Sequence, residues 1–210
     1  MTGEQYLSLN ILRGDVSKKM SPKRFFHTTE VEKMATRLAA IYLPEEEYRL
    51  RAAALLHDIA KELDRKEQIE ICSSHGDLLS AEDLFSPKTH HARAGAFLIP
   101  EIYPDFDDPL IISAVRWHTT GREGMTLPEK LIYLADYIDM SRKFESCVAV
   151  REFFFSAEPE KMNEGDRLRH LDKTLIKSFD YTICELLDEG RCISADTVAA
   201  RNGLIISQSI

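Results

Sequence analysis

A histidine followed directly by an aspartate, His57-Asp58, stands in the run Leu55-Leu56-His57-Asp58-Ile59-Ala60-Lys61-Glu62. The apolar residues around the pair, Leu50, Ala53, Ala54, Leu56, Ala60 and Leu63, recur at helical spacing, so two polar groups are set where packing is expected. A carboxylate removed from water needs a counter-charge or a cation, and a buried imidazole nitrogen needs a partner. A divalent metal ion serves both. The dipeptide alone also fits a solvated aspartate beside a hydrogen-bonded core histidine, so the rest of the chain has to decide.

Four further residues break apolar patterns in a similar way. His27 follows Arg24-Phe25-Phe26, and His91 lies in His90-His91-Ala92-Arg93-Ala94-Gly95, where small residues permit close helix approach. His118 closes the run Leu110, Ile111, Ala114 and Val115, and Asp136 interrupts Leu127, Leu131, Leu134, Ala135 and Ile138. Apart from the adjacent pair, each of His27, His57, Asp58, His91, His118 and Asp136 belongs to a different expected helix, and a bundle can aim such groups at one interior point. Nitrogen and oxygen donors without thiolate favour iron, manganese, zinc or magnesium. Cys72, Cys147, Cys184 and Cys192 are scattered with no Cys-x-x-Cys pair, so neither a sulfur-bound zinc nor a disulfide framework is expected. Asp58 has two oxygens and is the natural bridge between two cations.

Two cations about 3.5 to 4 Å apart lower the pKa of a shared water toward 7 and can clamp a phosphate oxygen. Arg122, on a glycine-containing turn, offers a planar fork for phosphate, and Lys61 a point charge one helical turn from His57. Thr119 and Thr120 add hydroxyl or backbone donors, and Arg24 a further cation. The expected catalytic residues are therefore Asp58, Lys61 and Arg122. The expected substrate contacts are Arg24, Lys61, His118, Thr119, Thr120, Gly121 and Arg122.

The elements that must position these groups read as helices throughout. Expected helices cover residues 4–13, ended by Gly14; a second from Pro22, capped by Ser21, to Pro44; and 45–63, carrying His57-Asp58. Short ones follow at 66–73 and 80–85, then 89–98, one from Pro109 to His118, and 127–140. Residues 141–165 read as a loop and a weak candidate boundary, 166–187 as a long amphipathic helix with Leu168 on its inner side, and 195–202 as a last helix capped by Ser194. No alternation strong enough for a sheet occurs, so the fold class is all-α, a single helical bundle over residues 1–210. Its metal-binding core is expected at about 22–140, with the loop and C-terminal helices of 141–210 packing on it. The 210 residues, 44% hydrophobic and 30% charged, suffice for such a core without staples. The net charge of −8 argues against a nucleic acid duplex as partner while leaving room for a small anion. No basic start leading into an apolar run and no uncharged stretch of about 18 residues is present, so no membrane association and a cytoplasmic location are expected.

These motifs resemble a known family across residues 22–205. Arg24-Phe25-x-His27, Leu56-His57-Asp58-x-Ala60-Lys61, His91-x-x-x-Gly95-Ala96, Trp117-His118-Thr119-Thr120-Gly121-Arg122, the string Glu129 to Ile138 and Asp196-Thr197-x-x-Ala200-Arg201-Asn202 are similar to those of the HD-domain hydrolases. Within them, the similarity is to the bacterial symmetrical diadenosine tetraphosphatases. The resemblance implies one metal on His27, His57, Asp58 and Asp136 and a second on Asp58, His91 and His118, with His91 taken over His90 for its spacing to Gly95. It also implies iron, cleavage of diadenosine tetraphosphate into two ADP by a metal-bridging hydroxide, and a homodimer. Where the family commonly has Glu-Pro, this chain has Asp139-Met140. Rival readings are a phosphohydrolase for another nucleotide (a deoxynucleoside triphosphate, a nucleoside monophosphate or guanosine tetraphosphate), a metal-bound nucleotide sensor without turnover, and a helical interaction protein with structural histidines.

Overall fold

The computed structural model describes residues 1–209. Its helices are α1 (Gly3–Lys19), α2 (Pro22–Tyr42), α3 (Glu47–Leu56), α4 (Arg65–Ser74), α5 (Ala81–Leu84), α6 (His90–Ile102), α7 (Pro109–Trp117), α8 (Leu127–Ile138), α9 (Glu145–Ser156), α10 (Glu164–Asp188) and α11 (Ala195–Ser209). Among the described residues no strand occurs, so the chain is all-α. Caps and prolines fix the starts of the helices that carry the polar groups. Ser21 Oγ accepts from the Arg24 backbone N–H and Pro22 occupies the first turn of α2, where a missing N–H leaves nothing unpaired. Asp108 caps α7 through the Leu110 and Ile111 N–H groups, and Thr126 with Glu129 forms a reciprocal cap on α8.

Helices α2, α3, α7 and α8 pack on one another around the main core, where Val31, Leu38, Leu50, Leu55, Val115, Leu131 and Leu134 are fully buried. Helix α6 lies against α7 and α4, α1 against α3, and α10 joins α9 to α11 on the far side of α8.

The structure departs from the sequence expectations at helix ends. Helix α1 continues through Gly14 to Lys19 because Leu12 and Val16 are both buried, and that packing outweighs the ~1 kcal/mol helix penalty of a glycine. Residues 141–165, expected as a loop, contain α9, which buries Cys147, Val150 and Phe154. Helix α11 runs on past Asn202 because Leu204 is buried; Leu168 of α10, expected inside, is exposed. The helix expected over 45–63 stops at Leu56. In a continued α-helix the Ala54 carbonyl would accept from the Asp58 N–H; here it accepts from His57 Nδ1 at 2.6 Å. The chain then tightens into turns closed by Ile59 N–H to Leu56 O, Lys61 N–H to Asp58 O and Leu63 N–H to Ala60 O.

Candidate metal centre

The same device recurs at the end of α7. His118 follows its last residue and donates from Nδ1 to the Val115 carbonyl at 2.7 Å. In both His57 and His118 the Nδ1 proton is committed to a backbone carbonyl three residues back, so the neutral ring carries its lone pair on Nε2. His27, in the second turn of α2, uses Nδ1 toward Ser141 Oγ at 3.0 Å and Asp139 Oδ2 at 3.3 Å. Its Nε2 also faces inward. Asp139 sits at the end of α8, fully buried, with Oδ1 accepting from the Ser141 N–H at 2.7 Å. Its other oxygen, Oδ2, is buried beside His27 Nδ1 without a hydrogen bond, so it acts on that ring by charge.

The Nε2 atoms of His27, His57, His91 and His118 gather around Asp58, and its two oxygens divide them. On the Oδ2 side lie His57 at 3.3 Å and His27 at 3.8 Å. On the Oδ1 side lie His91 at 3.1 Å and His118 at 3.8 Å, with 3.1 Å between the two imidazole nitrogens. Asp136 Oδ1 completes the first side, 2.9 Å from His27 Nε2 and 3.8 Å from His57 Nε2. His27, His57 and Asp136 form one group of donor atoms within 4.8 Å of one another, and His57, Asp58 and His118 a second. The donor chemistry fits divalent cations. The Nε2 atoms of His27 and His57 are buried and make no hydrogen bond, despite lying close to carboxylate oxygens. Ring nitrogens without a hydrogen bond beside two buried carboxylates match a site that a cation, displacing a proton from His27, would fill.

In this structure the carboxylates are balanced by arginine. Arg24 Nη1 donates to Asp58 Oδ2 at 2.6 Å, and Arg142 Nη2 to Asp136 Oδ1 at 2.5 Å. Burial alone would raise the Asp58 carboxyl, but His57 and His91 hold it well below the ordinary carboxylate range. Burial likewise opposes ionisation of Asp136, and Arg142, with His27 and His57, overrides it. His27 is pushed down by burial and up by Asp136 and Asp139, reaching about 9. Burial drives His91 and His118 down, toward the neutral form that can ligate.

Other expected site residues take different positions. His90 turns away, with Nε2 2.7 Å from the Asp83 carbonyl. Lys61 Nζ lies 3.2 Å from His91 Nε2, and Thr119 Oγ1 is 3.4 Å from the same atom, so both border the cluster. Arg122 does not reach it. Its guanidinium is bound to the fully buried Glu129, with Nε 3.1 Å from both carboxylate oxygens and Nη2 3.0 Å from Oε1. Thr120 Oγ1 donates to the Gly121 carbonyl, and Gly121, at φ +64°, lies so close to Phe179 and Ala200 that a Cβ would be 2.8 and 2.9 Å from them. In this arrangement the turn is packed on α8, α10 and α11, with Arg122 engaged by Glu129 and the Thr120 hydroxyl by the Gly121 carbonyl. Sequence reading missed Arg142 and Ser141. The available signal was two aspartates, Asp136 and Asp139, near the end of one apolar helix, which need cations or donors from the segment that follows.

The HD domain family model matches residues 24–141, a span holding all six converging residues. The chain belongs to the HD domain family. This HD domain protein is 32% identical over 195 residues to the "Bis(5'-nucleosyl)-tetraphosphatase, symmetrical" of Halalkalibacterium halodurans, covering 92% of this chain and 95% of that one. It is 32% identical to the Bacillus subtilis protein of the same name, over 90% and 94% of the two chains. A crystal structure from Clostridium acetobutylicum, described as a "predicted HD superfamily hydrolase involved in NAD metabolism", superposes with a TM-score of 0.82 at 34% identity, over 94% of this chain and 97% of that one.

Proposed function

We propose that this HD domain protein is a metal-dependent phosphohydrolase that splits diadenosine tetraphosphate symmetrically into two ADP. The observation that carries the reading is four imidazole Nε2 atoms turned onto both oxygens of one buried aspartate. The chain also matches, over nine-tenths of its length, relatives named for that reaction.

His27, His57, Asp58 and Asp136 would hold one ion, and Asp58, His91 and His118 a second. Such ions supply Lewis acidity, acidifying water and neutralising charge on a phosphate. The chain's own residues do the rest. Carbonyls of Ala54 and Val115 lock the His57 and His118 rings with Nε2 inward. The Ser141 hydroxyl, 3.0 Å from His27 Nδ1, does the same for His27. Arg24 and Arg142 touch the carboxylates and also line the adjoining cavity. With ions held at the carboxylates, the Arg24 and Arg142 guanidinium forks would be available to phosphate oxygens entering that cavity. Lys61 adds positive charge beside His91, where burial and the two arginines lower its pKa while Asp58 and Asp136 oppose that shift.

Iron is the first candidate, and manganese, zinc and magnesium accept the same donors. In this reading residues 1–210 form one HD-type domain, its metal-binding core at about 22–140 and residues 141–210 packed on it; Ile210 lies outside the described residues. Among the described residues no helix is long and apolar enough to cross a membrane. A homodimer follows from the family resemblance, and light scattering tests it; a cytoplasmic location rests on the sequence pattern of the N-terminus and is tested by cell fractionation.

Incubating freshly purified protein with diadenosine tetraphosphate and each of the four metals should yield ADP alone. ATP plus AMP would end the symmetrical reading, and no turnover with any metal would end the enzymatic one. Asp58→Ala should lose hydrolysis and bound metal together; full activity in that variant removes the two-ion site.

A further inference from the structure

The candidate metal centre opens into a cavity of about 740 Å³ whose wall includes His27, Arg24 and Arg142. Farther out the same wall carries two aromatic rings and two lysines that the chemistry above does not use. Phe26 is 57% exposed and Phe144 70% exposed, and neither ring stacks on an aromatic or a cation among the described residues. Lys23 has no carboxylate partner among the described residues, and Lys143 Nζ donates only to the Met140 carbonyl, at 3.0 Å. The acid on the wall, Glu62, is already engaged by the Ser21 N–H and hydroxyl. In a chain of net charge −8, this mouth therefore presents four cations with little to neutralise the outer two.

Flat apolar rings and unpaired ammonium groups around one cavity select a ligand with a π-face and several negative charges. We infer that Phe26 and Phe144 form a stacking platform for a nucleobase, with Lys23 and Lys143 holding the phosphates between that base and the metal centre. The platform takes one nucleoside diphosphate half of the substrate, and in this respect the inference rests on the function proposed above. Stacking accepts any base face, so it supplies affinity rather than base identity. The two lysines act as point charges, tolerant of where each phosphate oxygen falls.

Calorimetry with ADP and, separately, inorganic pyrophosphate on the metal-loaded protein tests the assignment. Both rings are exposed, so truncation leaves the core intact, which circular dichroism checks. Phe26→Ala and Phe144→Ala should each weaken ADP binding about tenfold or more, leave pyrophosphate affinity unchanged, and raise KM for diadenosine tetraphosphate with little change in kcat. Phe144→Trp should restore ADP affinity. Lys23→Ala with Lys143→Ala should weaken both ligands and flatten the salt dependence of binding. A folded Phe26→Ala/Phe144→Ala protein with wild-type ADP affinity and KM overturns the platform, whatever the wild type hydrolyses. Ring-dependent ADP binding without cleavage by the wild type would retain the platform and remove the proposed reaction. Neither binding nor cleavage removes both.

Discussion

Replacing Arg122 by alanine separates a structural role from a chemical one. The guanidinium makes three N–H contacts of 3.0 to 3.1 Å to a carboxylate that is fully buried. Breaking a buried ion pair by removing one partner costs roughly 3 to 5 kcal/mol, because the remaining charge is stranded. Glu129 retains the Thr126 N–H at 2.8 Å and the Ser113 hydroxyl, and the Arg122 side chain is one-third exposed. The low end of the range therefore applies, about 3 kcal/mol. For a chain of this size each kcal/mol moves Tm by about 2 to 4 °C, giving a fall of about 6 to 12 °C. Differential scanning calorimetry reads this directly, and Arg122→Ala/Glu129→Gln should recover about half of it by removing the stranded charge. Assayed well below its Tm, the single variant should keep kcat and KM within about threefold of wild type, since the guanidinium touches no cluster residue. A Tm within about 2 °C of wild type together with a kcat lower by orders of magnitude would refute the structural assignment.

Three further outcomes are expected. Stripping metal with a chelator should abolish hydrolysis but leave the helical circular dichroism intact, because Arg24 and Arg142 neutralise Asp58 and Asp136; re-added metal at 1,000 times its Kd should restore about 4 kcal/mol of stability for each ion bound. Unfolding on chelation would contradict that balance. The Asp83 carboxyl is raised by burial but lowered further by the Ser80 N–H and Arg93, so its stabilisation exists above the ordinary carboxylate pKa and disappears as pH falls through the lowered value. Urea titrations should show Asp83→Asn less stable than wild type at pH 7, with the gap closing below about pH 4; a constant gap would contradict the linkage. Gly121→Ala should cost at least about 2 kcal/mol, from a positive φ and the approach to Phe179 and Ala200, and an unchanged urea midpoint would show that the turn relaxes freely.

The six converging residues were legible because each is a polar group interrupting a helical apolar pattern, and the starts of α2 and α7 because Ser21-Pro22 and Pro109 are local start signals. Local chemistry of that kind is written within a few residues. Other features depend on contacts between distant segments. Arg122 looked like a phosphate fork, and only packing beside α8 gave it to Glu129. Arg142 and Asp139 joined the site because the chain leaving α8 folds back over Asp136 and His27. Helix α3 stops at Leu56 instead of reaching residue 63 because an imidazole takes a backbone carbonyl, a competition that apolar periodicity does not register. The sequence by itself determined which groups could bind a cation and which helices carry them. The tertiary structure decided which nitrogen each histidine turns inward and which arginines face the carboxylates, because direction and charge partnership are set by burial against residues far along the chain.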